Sequence, residues 1–428
     1  MSKVRNVLVF PGGTEIGLEI NNALRDLKEV VLFSAGADVS SHAEYVFARH
    51  SAVPSVHQPG WIDALNEVIR RDRIDFVFPA HDEVILATAN ERSRIEAHVI
   101  APSPDLCRMC CSKRLTYERL AGAVPVPAVY RSAGEIPHYP VFAKPDRGQG
   151  SVHASRVDSR SQLDALNCSG IDFVVTEYLP GEEYTVDCFS DRERGLLFCS
   201  GRQRDRVRSG ISVATHGVSS PEFREMAEAI QKRCGFFGPW FFQVKRGSGG
   251  VLVLLEVAPR IAGAMALHRV QGVNFAMLAL LEAERADYQV SFSPYGLALD
   301  RALINRYTTT LDVRHLYVDL DDTLVCRGSV SLPLVRLLYQ QLNRGSRLVL
   351  VTRHAHDVAA TLRRHRLSEL FDEVVHLKLK EPKSSAIHAR EGAIYIDDSY
   401  KEREEVRANT GIPVFDVSMI EALQDYRA

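Results

Sequence analysis

The chain has 428 residues, which is more than one ordinary hydrophobic core accommodates and suggests about two or three domains. Apolar residues make up 46% of the sequence and charged residues 25%, values typical of globular proteins, so the composition argues against a disordered or a membrane protein. The 52 basic and 54 acidic residues leave a net charge of −2, which offers no electrostatic footprint for nucleic acid or an anionic membrane. Small-molecule partners are therefore expected.

The sequence predicts a cytoplasmic protein. Its N-terminal part enters a short strand-like run, Val7 to Phe10, without the longer apolar stretch of a secretory signal, and no span reaches ~18 uninterrupted apolar residues. The eight cysteines are scattered, apart from Cys107, Cys110 and Cys111. That run lacks the second ligand pair of a structural zinc site, so reduced cysteines are expected.

The first 100 residues alternate predicted strands and helices. Residues 4–10 form an apolar strand, the turn from Pro11 to Gly17 leads into a helix, and a strand (30–33), a helix (61–69) and a third strand (76–78) follow. This alternation predicts a Rossmann-like domain over residues 1–100, with a parallel sheet covered by helices.

From about residue 140 the pattern changes to strands joined by Gly-containing turns, at 141–144, 173–177, 184–189, 240–244 and 251–257. It predicts an α+β body with antiparallel strands over residues 101–311. After a polar segment at 305–312, strands at 316–320, 347–352 and 393–397 alternate with helices, which predicts a second, smaller parallel α/β sheet over residues 312–428. The fold class is thus α/β and α+β, in several domains.

Several residues in the middle of the chain suit a nucleoside triphosphate, which needs cations and backbone N–H groups around its phosphates. Lys113 and Lys144 can each neutralise phosphate, although either lysine alone is more often a solvated surface residue. The loop after Lys144 contains Gly148, Gly150 and Ser151, and its glycines let backbone amides approach phosphate oxygens, although such a loop is equally typical of a hairpin turn.

The strand ending at Glu177 is followed by a polar turn that contains Leu179 and Glu183. A strand end can present backbone groups to adenine, while a carboxylate takes the ribose hydroxyls. Further on, Gln243 and Glu256 lie symmetrically about the Gly-rich turn of a predicted hairpin. Such partners lie about 5 Å apart on one face, which suits two oxygen ligands of one Mg²⁺.

The order and spacing of these motifs resemble the ATP-grasp superfamily, in particular its carbamoyl-phosphate-synthase-like branch, over residues 4–305. The resemblance implies a Rossmann-like pre-ATP-grasp domain followed by an ATP-grasp domain, with ATP and Mg²⁺, or Mn²⁺ in its place, as cofactors. It assigns phosphate binding to Lys113 and Lys144, the adenine hinge to Glu177 and Leu179, ribose binding to Glu183, Mg²⁺ binding to Gln243 and Glu256, and stabilisation of an acyl phosphate to Arg260.

Two positions depart from the family pattern. Ala258 stands where the family's metal motif usually has Asn, and it offers no ligand for a second Mg²⁺. His153 stands where the phosphate loop often closes with a further glycine. The chemistry that the resemblance implies is attack of a substrate carboxylate on the γ-phosphate of ATP, after which an amine displaces phosphate from the acyl phosphate.

A row of alternating arginines precedes Gly210: Arg202, Arg204, Arg206 and Arg208. In a strand, this spacing places the four guanidinium groups on one face. The row is explained equally well by an exposed basic strand and by a binding site for a carboxylate substrate beside the phosphates.

The C-terminal part contains a second constellation, in which Asp319 and Asp321 end an apolar strand in a DxDxT motif. Period two predicts both carboxylates on one side, where one can form an aspartyl-phosphate and the other can protonate the leaving alcohol. Later strand ends supply matching groups. They are the hydroxyl of Thr352 for phosphate, a lysine (Lys383, with Lys378 and Lys380 as rivals), and Asp397 and Asp398 as Mg²⁺ ligands.

Residues 315–428 resemble the haloacid dehalogenase (HAD) superfamily, which implies Asp319 as nucleophile, Asp321 as acid/base, and a Mg²⁺ site that includes Asp319, Asp321, Asp397 and Asp398. Asp322 stands where many members have glycine. The stretch between Asp321 and Thr352 is too short for a large cap domain, so we expect an open site for a bulky phosphorylated substrate or for a phosphorylated product of the other half.

The leading hypothesis is an ATP-dependent carboxylate–amine (or carbamoyl-phosphate-synthase-like) ligase fused to a phosphatase. Two alternatives stay open: a monofunctional ligase whose HAD-like domain only binds or regulates, and a non-catalytic nucleotide-binding scaffold in which Ala258 marks lost catalysis. Formation of ADP with an acceptor separates the enzyme from the scaffold.

Overall fold

A computed structural model of the chain describes residues 4–148, 150, 152–307 and 309–427. The chain forms two compact units, Met1–Leu303 and Ile304–Ala428. The predicted division at residues 100/101 and the predicted boundary at 311/312 stay predictions. None of the helices in the described residues combines the length and the apolar character that crossing a bilayer requires.

The first unit opens with a five-stranded parallel sheet. Its central strand is apolar and buried from Val7 to Phe10, as expected for a parallel sheet covered on both faces. The first helix starts at the predicted turn because the hydroxyl of Thr14 accepts a hydrogen bond from the Gly17 N–H at 3.0 Å. The strands are β1 (Arg5–Phe10), β2 (Val30–Gly36), β3 (His50–Ala52), β4 (Phe76–Pro79) and β5 (His98–Val99), in the order β3-β2-β1-β4-β5, with helices α1 (Glu15–Leu24), α2 (Trp61–Asp72) and α3 (Asp82–Asn90).

Two helices, α4 (Pro104–Cys110) and α5 (Lys113–Leu120), lead from this sheet to a four-stranded antiparallel sheet. A buried cluster that contains Val141, Ala143, Val157 and Leu163 joins that sheet to its helix. The elements are β6 (Val129–Tyr130), β7 (Val141–Pro145), β8 (Ser155–Val157), α6 (Arg160–Asn167) and β9 (Phe173–Glu177), and the strand order is β6-β9-β7-β8.

A six-stranded antiparallel sheet completes the first unit, and it contains the predicted Gln243/Glu256 hairpin. No prediction covered β12 and α7. The elements are β10 (Glu183–Asp191), β11 (Gly195–Arg208), β12 (Ile211–Val218), α7 (Pro221–Cys234), β13 (Gly238–Arg246), β14 (Leu252–Ala258), α8 (Ala266–Arg269), α9 (Phe275–Ala283) and β15 (Ala298–Asp300), in the strand order β14-β13-β10-β11-β12-β15.

The two faces of the six-stranded sheet differ because its strands alternate. On one face, Val186, Trp240 and Phe242 pack in a core with Phe223 and Ile230 of α7. The opposite face carries the polar residues of the same strands. The strand pattern therefore places the candidate ligands on a face that the core leaves available for binding.

The second unit is a five-stranded parallel sheet with buried residues on both faces: Leu316 and Val318 of the central strand lie in one cluster, and Tyr317 lies in the other. The elements are β16 (His315–Val318), β17 (Val325–Cys326), β18 (Ser329–Val330), α10 (Leu332–Asn343), β19 (Arg347–Thr352), α11 (Val358–Arg364), β20 (Glu373–His376), β21 (Ala393–Ile396), α12 (Tyr400–Thr410) and β22 (Val414–Phe415), in the sheet order β20-β19-β16-β21-β22, with a separate β17-β18 hairpin.

Candidate functional site

Two adjoining cavities lie in the first unit, with volumes of about 710 Å³ and about 150 Å³. Lys144, Glu177, Leu179 and Glu183 line the smaller cavity. The larger one extends to α3 and α4. We call the parallel sheet β1–β5 with helices α1 to α4 the N-terminal layer. The residues that line both cavities are Lys113, Gly148, Gly150, Arg204, Gly210, Gln243 and Glu256.

Lys144 is buried at the end of β7, where its Nζ donates a hydrogen bond to the Leu255 carbonyl at 3.3 Å. That carbonyl belongs to a β-bulge, since β14 has one residue more than β13 between the paired positions. Tyr117 also donates to it, at 2.8 Å, and its ring lies 5.4 Å from the Lys144 Nζ. Burial lowers the pKa of Lys144 to about 8, although the Glu256 carboxylate opposes that shift. A buried cation with these partners suits an anionic ligand.

The predicted phosphate loop is anchored to α5. Nζ of Lys113 donates to the carbonyls of Asp146 and Gly148 at 3.3 and 3.2 Å, and the Asp146 carboxylate accepts from the hydroxyl of Ser112. Ser151 lies outside the described residues. His153 has φ 59°, a left-handed conformation that favours glycine.

The predicted adenine hinge lies at the end of β9, but the Glu177 side chain is already engaged. Its carboxylate accepts from the Ala128 N–H at 2.9 Å and its own N–H donates to the Ala128 carbonyl at 3.0 Å, so a base would have to contact the backbone beyond Glu177. Leu179 is buried. Glu183, the predicted ribose ligand, lies 2.7 Å from Nε of Arg204 and 3.9 Å from Nζ of Lys245.

Gln243 and Glu256 are register partners in the β13–β14 hairpin, as the symmetry about the turn predicts. The same register continues across the sheet, from Gln243 to Thr185 in β10 and from Thr185 to Arg202 in β11. Directly paired residues of antiparallel strands point to the same face. These four side chains, Arg202, Thr185, Gln243 and Glu256, therefore form one cross-strand row, which we call the polar row.

Arg260 follows β14 and pairs with Asp82 at the start of α3, with Nη2 donating to Oδ2 at 3.0 Å. Burial opposes the charge, yet the Asp82 carboxylate holds the pKa of Arg260 above its usual value. Ala258, where the family has Asn, lines the larger cavity beside Arg260. No sequence pattern indicated Asp82.

The arginine row does not stay on one face. Arg202 and Arg204 line the larger cavity, whereas the side chain of Arg206 is 59% exposed and pairs with Asp300 at 2.9 Å. Irregularities in the β11–β12 register around Arg206 interrupt the alternation. The expectation of four guanidinium groups on one face is therefore wrong for Arg206.

The second unit gathers its polar residues at the ends of β16, β19 and β21. Nζ of Lys383 donates to Oδ1 of Asp319 at 2.6 Å and to Oδ2 of Asp397 at 2.7 Å, and the Tyr395 hydroxyl also donates to Asp397. Burial raises the pKa of Asp319 to about 6 against the pull of the Lys383 ammonium. The rival lysines, Lys378 and Lys380, are exposed.

One ligand atom from each of Asp319, Asp397 and Asp398 lies within 4.8 Å of the others, an arrangement that can hold a cation. Thr323 donates to the Asp398 carboxylate at 3.0 Å and so orients it. The hydroxyl of Thr352 is buried beside the site and accepts from the His354 N–H at 3.1 Å.

Asp321 does not join this cluster. The strand ends at Val318, so the period-two alternation that predicted both carboxylates on one side does not extend to Asp321. Its carboxylate lies 2.8 and 2.9 Å from Nδ1 of His354, whose Nε2 lies 2.9 Å from the Thr361 hydroxyl. Asp322 has φ 57°, a left-handed conformation that favours glycine.

Between Asp321 and Thr352 the chain forms only the β17–β18 hairpin, α10 and β19. This arrangement fits the expected lack of a large cap. His354 was not among the sequence predictions, because the contact joins positions 33 residues apart and no motif spacing indicates it.

Comparisons with known proteins agree on the fold of the larger part of the chain. A family profile described as "ATP-grasp in the biosynthetic pathway with Ter operon" matches residues 170–296. No curated protein matches the chain.

Three solved structures illustrate the likeness. The biotin carboxylase domain of 2-oxoglutarate carboxylase from Hydrogenobacter thermophilus, solved with ADP, Mg²⁺ and bicarbonate, has a TM-score of 0.57 and 14% identity, over 68% of this chain and 72% of that one. L-amino acid ligase from Bacillus licheniformis has a TM-score of 0.54 and 16% identity, over 66% and 75%. N5-carboxyaminoimidazole synthetase from Staphylococcus aureus, with ADP, has a TM-score of 0.55 and 12% identity, over 68% and 81%. The chain thus contains the ATP-grasp fold.

Proposed function

We propose that the chain is an ATP-grasp ligase, which activates a small carboxylic acid with ATP and joins it to an amine. The observation that carries this proposal is the pair Gln243 and Glu256, register partners whose side chains line both cavities. Nucleotide would occupy the smaller cavity and the acid the larger one, so that the two meet at this pair. Structures of the same fold that contain ADP support nucleotide binding by this chain.

The residues present fit ATP and Mg²⁺. Lys113 and Lys144 supply cations to the phosphates, the backbone after Glu177 faces adenine, and the oxygens of Gln243 and Glu256 are the hard ligands that Mg²⁺ or Mn²⁺ prefers. The bound ion would neutralise charge on the phosphate oxygens. Because Ala258 has no ligand atom, this donor set holds one ion more readily than two.

The reaction follows in two steps. A carboxylate oxygen of the acid attacks the γ-phosphorus and the bond to the ADP oxygen breaks, which yields an acyl phosphate. The amine nitrogen then attacks the acyl carbon, phosphate leaves, and the amine gives up a proton. Arg260, held by Asp82, would stabilise the negative charge of the acyl phosphate, while the strands fix the two substrates in line.

A specific observation favours a second activity in the C-terminal unit. Asp319 is buried against Lys383 and next to Asp397 and Asp398, which suits a HAD-type phosphatase with Asp319 as nucleophile. The Asp319 oxygen would attack the phosphorus of a phosphate ester, and the bond to the alcohol would break as Asp321 protonates the alcohol. Water that Asp321 then deprotonates would hydrolyse the aspartyl-phosphate and release phosphate, with His354 orienting Asp321. The alternative is a unit that only binds phosphorylated compounds or regulates the ligase.

The test is a screen of carboxylic acids with ATP and Mg²⁺, in which hydroxylamine serves as a general amine that converts an acyl phosphate into a hydroxamate. The expected result is ADP formation that depends on one class of acid, with the matching hydroxamate identified by mass spectrometry. Tight ATP binding without acid-dependent ADP would favour the non-catalytic scaffold. Hydrolysis of aryl and sugar phosphates by the same protein tests the second activity.

A further inference from the structure

The guanidinium group of Arg202 is buried and only part of it is hydrogen-bonded within the protein. Its side chain is only 2% exposed, and its Nε and Nη2 donate to the Asp187 carboxylate at 2.9 and 3.3 Å. Nη1 is buried as well and makes no hydrogen bond with any described residue. Leaving a charged donor unsatisfied is costly, so this atom indicates a ligand.

The Asp187 carboxylate fixes the orientation of the Arg202 side chain. Asp187 is fully buried and also lies 3.0 Å from Nδ1 of His268, which is itself buried. One carboxylate therefore holds two neighbouring side chains and leaves one edge of the guanidinium group unused. Such a fixed guanidinium edge suits the two oxygens of a carboxylate.

The position of Arg202 relates it to the reacting phosphate. Arg202 and Gln243 belong to the polar row and are separated by Thr185 alone, which places their Cα atoms about 10 Å apart at the usual spacing of strands. The Thr185 hydroxyl between them is also buried without a hydrogen bond to the described residues. Two register partners of the polar row thus each have an unsatisfied polar atom, and Thr185 is in turn paired with Gln243.

The cavity that Arg202 lines also has an apolar part. Ile85, Leu86 and Ala87 of α3 and Cys107 and Cys110 of α4 contribute to its lining. Burial raises the pKa of the Cys107 thiol to about 12, so this residue stays uncharged at neutral pH. The volume of about 710 Å³ is that of a site for an organic molecule and far exceeds the need of a bicarbonate ion.

We propose that Arg202 binds the carboxylate of the acid substrate, and that this substrate is an organic acid whose apolar body lies against α3 and α4. The inference rests on the proposed ligase function and names its substrate class. Arg202 contacts the substrate, whereas Asp187 and His268 are positioning residues.

The experiment compares the KM for the acid, the kcat for ADP formation and the Kd for ATP in Arg202→Met, Arg202→Lys and Arg206→Met. The probes are bicarbonate, acetate, hexanoate and benzoate, with hydroxylamine as the amine. We expect Arg202→Met to raise the KM for the acid about thirtyfold or more, which corresponds to loss of a desolvated charge pair, with unchanged ATP affinity. Arg202→Lys should restore part of the loss, and Arg206→Met, on the exposed part of the same strand, should change little.

Because Arg202→Met leaves the Asp187 charge buried and unpaired, the double variant Arg202→Met/Asp187→Asn serves as a second test that removes both charges. Its ATP affinity shows that it is folded, and its KM for the acid should be raised as in the single variant. An unchanged KM in a folded variant, or a wild-type preference for bicarbonate over hexanoate and benzoate, would overturn the inference. Absence of acid-dependent ADP in the wild-type protein would instead remove the proposed ligase function.

Discussion

The candidate sites of the two units are built in different ways. In the second unit, Lys383 already bridges Asp319 and Asp397, so the charged groups are paired with one another before any ligand binds. In the first unit, the buried ammonium group of Lys144 donates a hydrogen bond to one carbonyl. Nη1 of the buried Arg202 makes no hydrogen bond with the described residues. The C-terminal cluster thus satisfies its own charges, whereas the N-terminal cavities retain buried polar groups that the ligands of the proposed ligase would satisfy.

The largest expected effect is that of Asp319→Asn, which keeps the shape of the side chain but removes the nucleophile. Hydrolysis of an aryl phosphate should fall on the order of 10³-fold or more, while acid-dependent ADP formation persists. Asp312→Asn, at an exposed ion pair of the same unit, is the control and should be neutral. If Asp319→Asn stays folded by circular dichroism but also loses ADP formation, the two activities depend on each other and the two sites are not independent.

Glu256→Gln tests the candidate site of the first unit. It keeps an oxygen at the position but removes the charge that would hold Mg²⁺, so the rate of ADP formation should fall on the order of 10²-fold. Aryl phosphate hydrolysis should be unaffected. Glu222→Gln, which breaks an ion pair of α7 with Arg246, is a matched control in the same unit. Full ligase activity in Glu256→Gln would show that the Glu256 charge is not needed to hold the metal ion.

Much of this contrast could be predicted from the sequence, because both sites depend on short-range patterns. The Asp319 motif follows its strand directly, and the Gln243/Glu256 pair follows from counting residues about a turn. What the sequence did not indicate depends on tertiary structure. Asp82 meets Arg260 across 178 positions, and His354 meets Asp321 only because two parallel strands end side by side.

The arginine row shows the limit of a periodicity argument. Alternation places successive residues on one face only while the strand stays regular, and the irregular register after Arg204 breaks that condition. No local pattern in the sequence distinguishes the buried Arg202 from the exposed Arg206. Their difference arises from the neighbouring strands, since Asp187 of β10 pairs with one and Asp300 of β15 with the other.

The pH dependence of ATP binding tests whether the charged form of Lys144 binds the phosphates. Its ammonium is the form that binds phosphate, so ATP affinity should be fully present below the pKa of about 8 and decline as the pH rises above it. The Kd for ATP, measured by calorimetry between about pH 7.5 and 9.5, should rise by up to about tenfold per pH unit.

Lys144→Arg is the control, because a guanidinium group keeps its charge over this range. Its ATP affinity should vary much less with pH than that of the wild-type protein. A wild-type Kd that does not change with pH, or the same dependence in both proteins, would show that Lys144 does not bind phosphate in its charged form.

The smallest expected effect concerns His354, which orients Asp321 and contacts no substrate. His354→Ala should slow aryl phosphate hydrolysis about tenfold, less than the ~10²–10⁴ typical of removing an acid or base itself. The loss should appear in kcat, with KM nearly unchanged and with an altered pH profile. His388→Ala, an exposed histidine of the same unit, should behave as wild type. A loss in KM alone would assign His354 to substrate binding.

The ion pair between Asp82 and Arg260 bears on how such a chain can evolve. Arg260 belongs to the body that would carry out the chemistry, but its partner begins a helix of the N-terminal layer. The two side chains are 12% and 26% exposed, so removal of one member leaves the other charge partly buried and without compensation, which destabilises the structure. The N-terminal layer is therefore not an interchangeable module, and a recombination event that replaced it would have to supply a carboxylate at the same place.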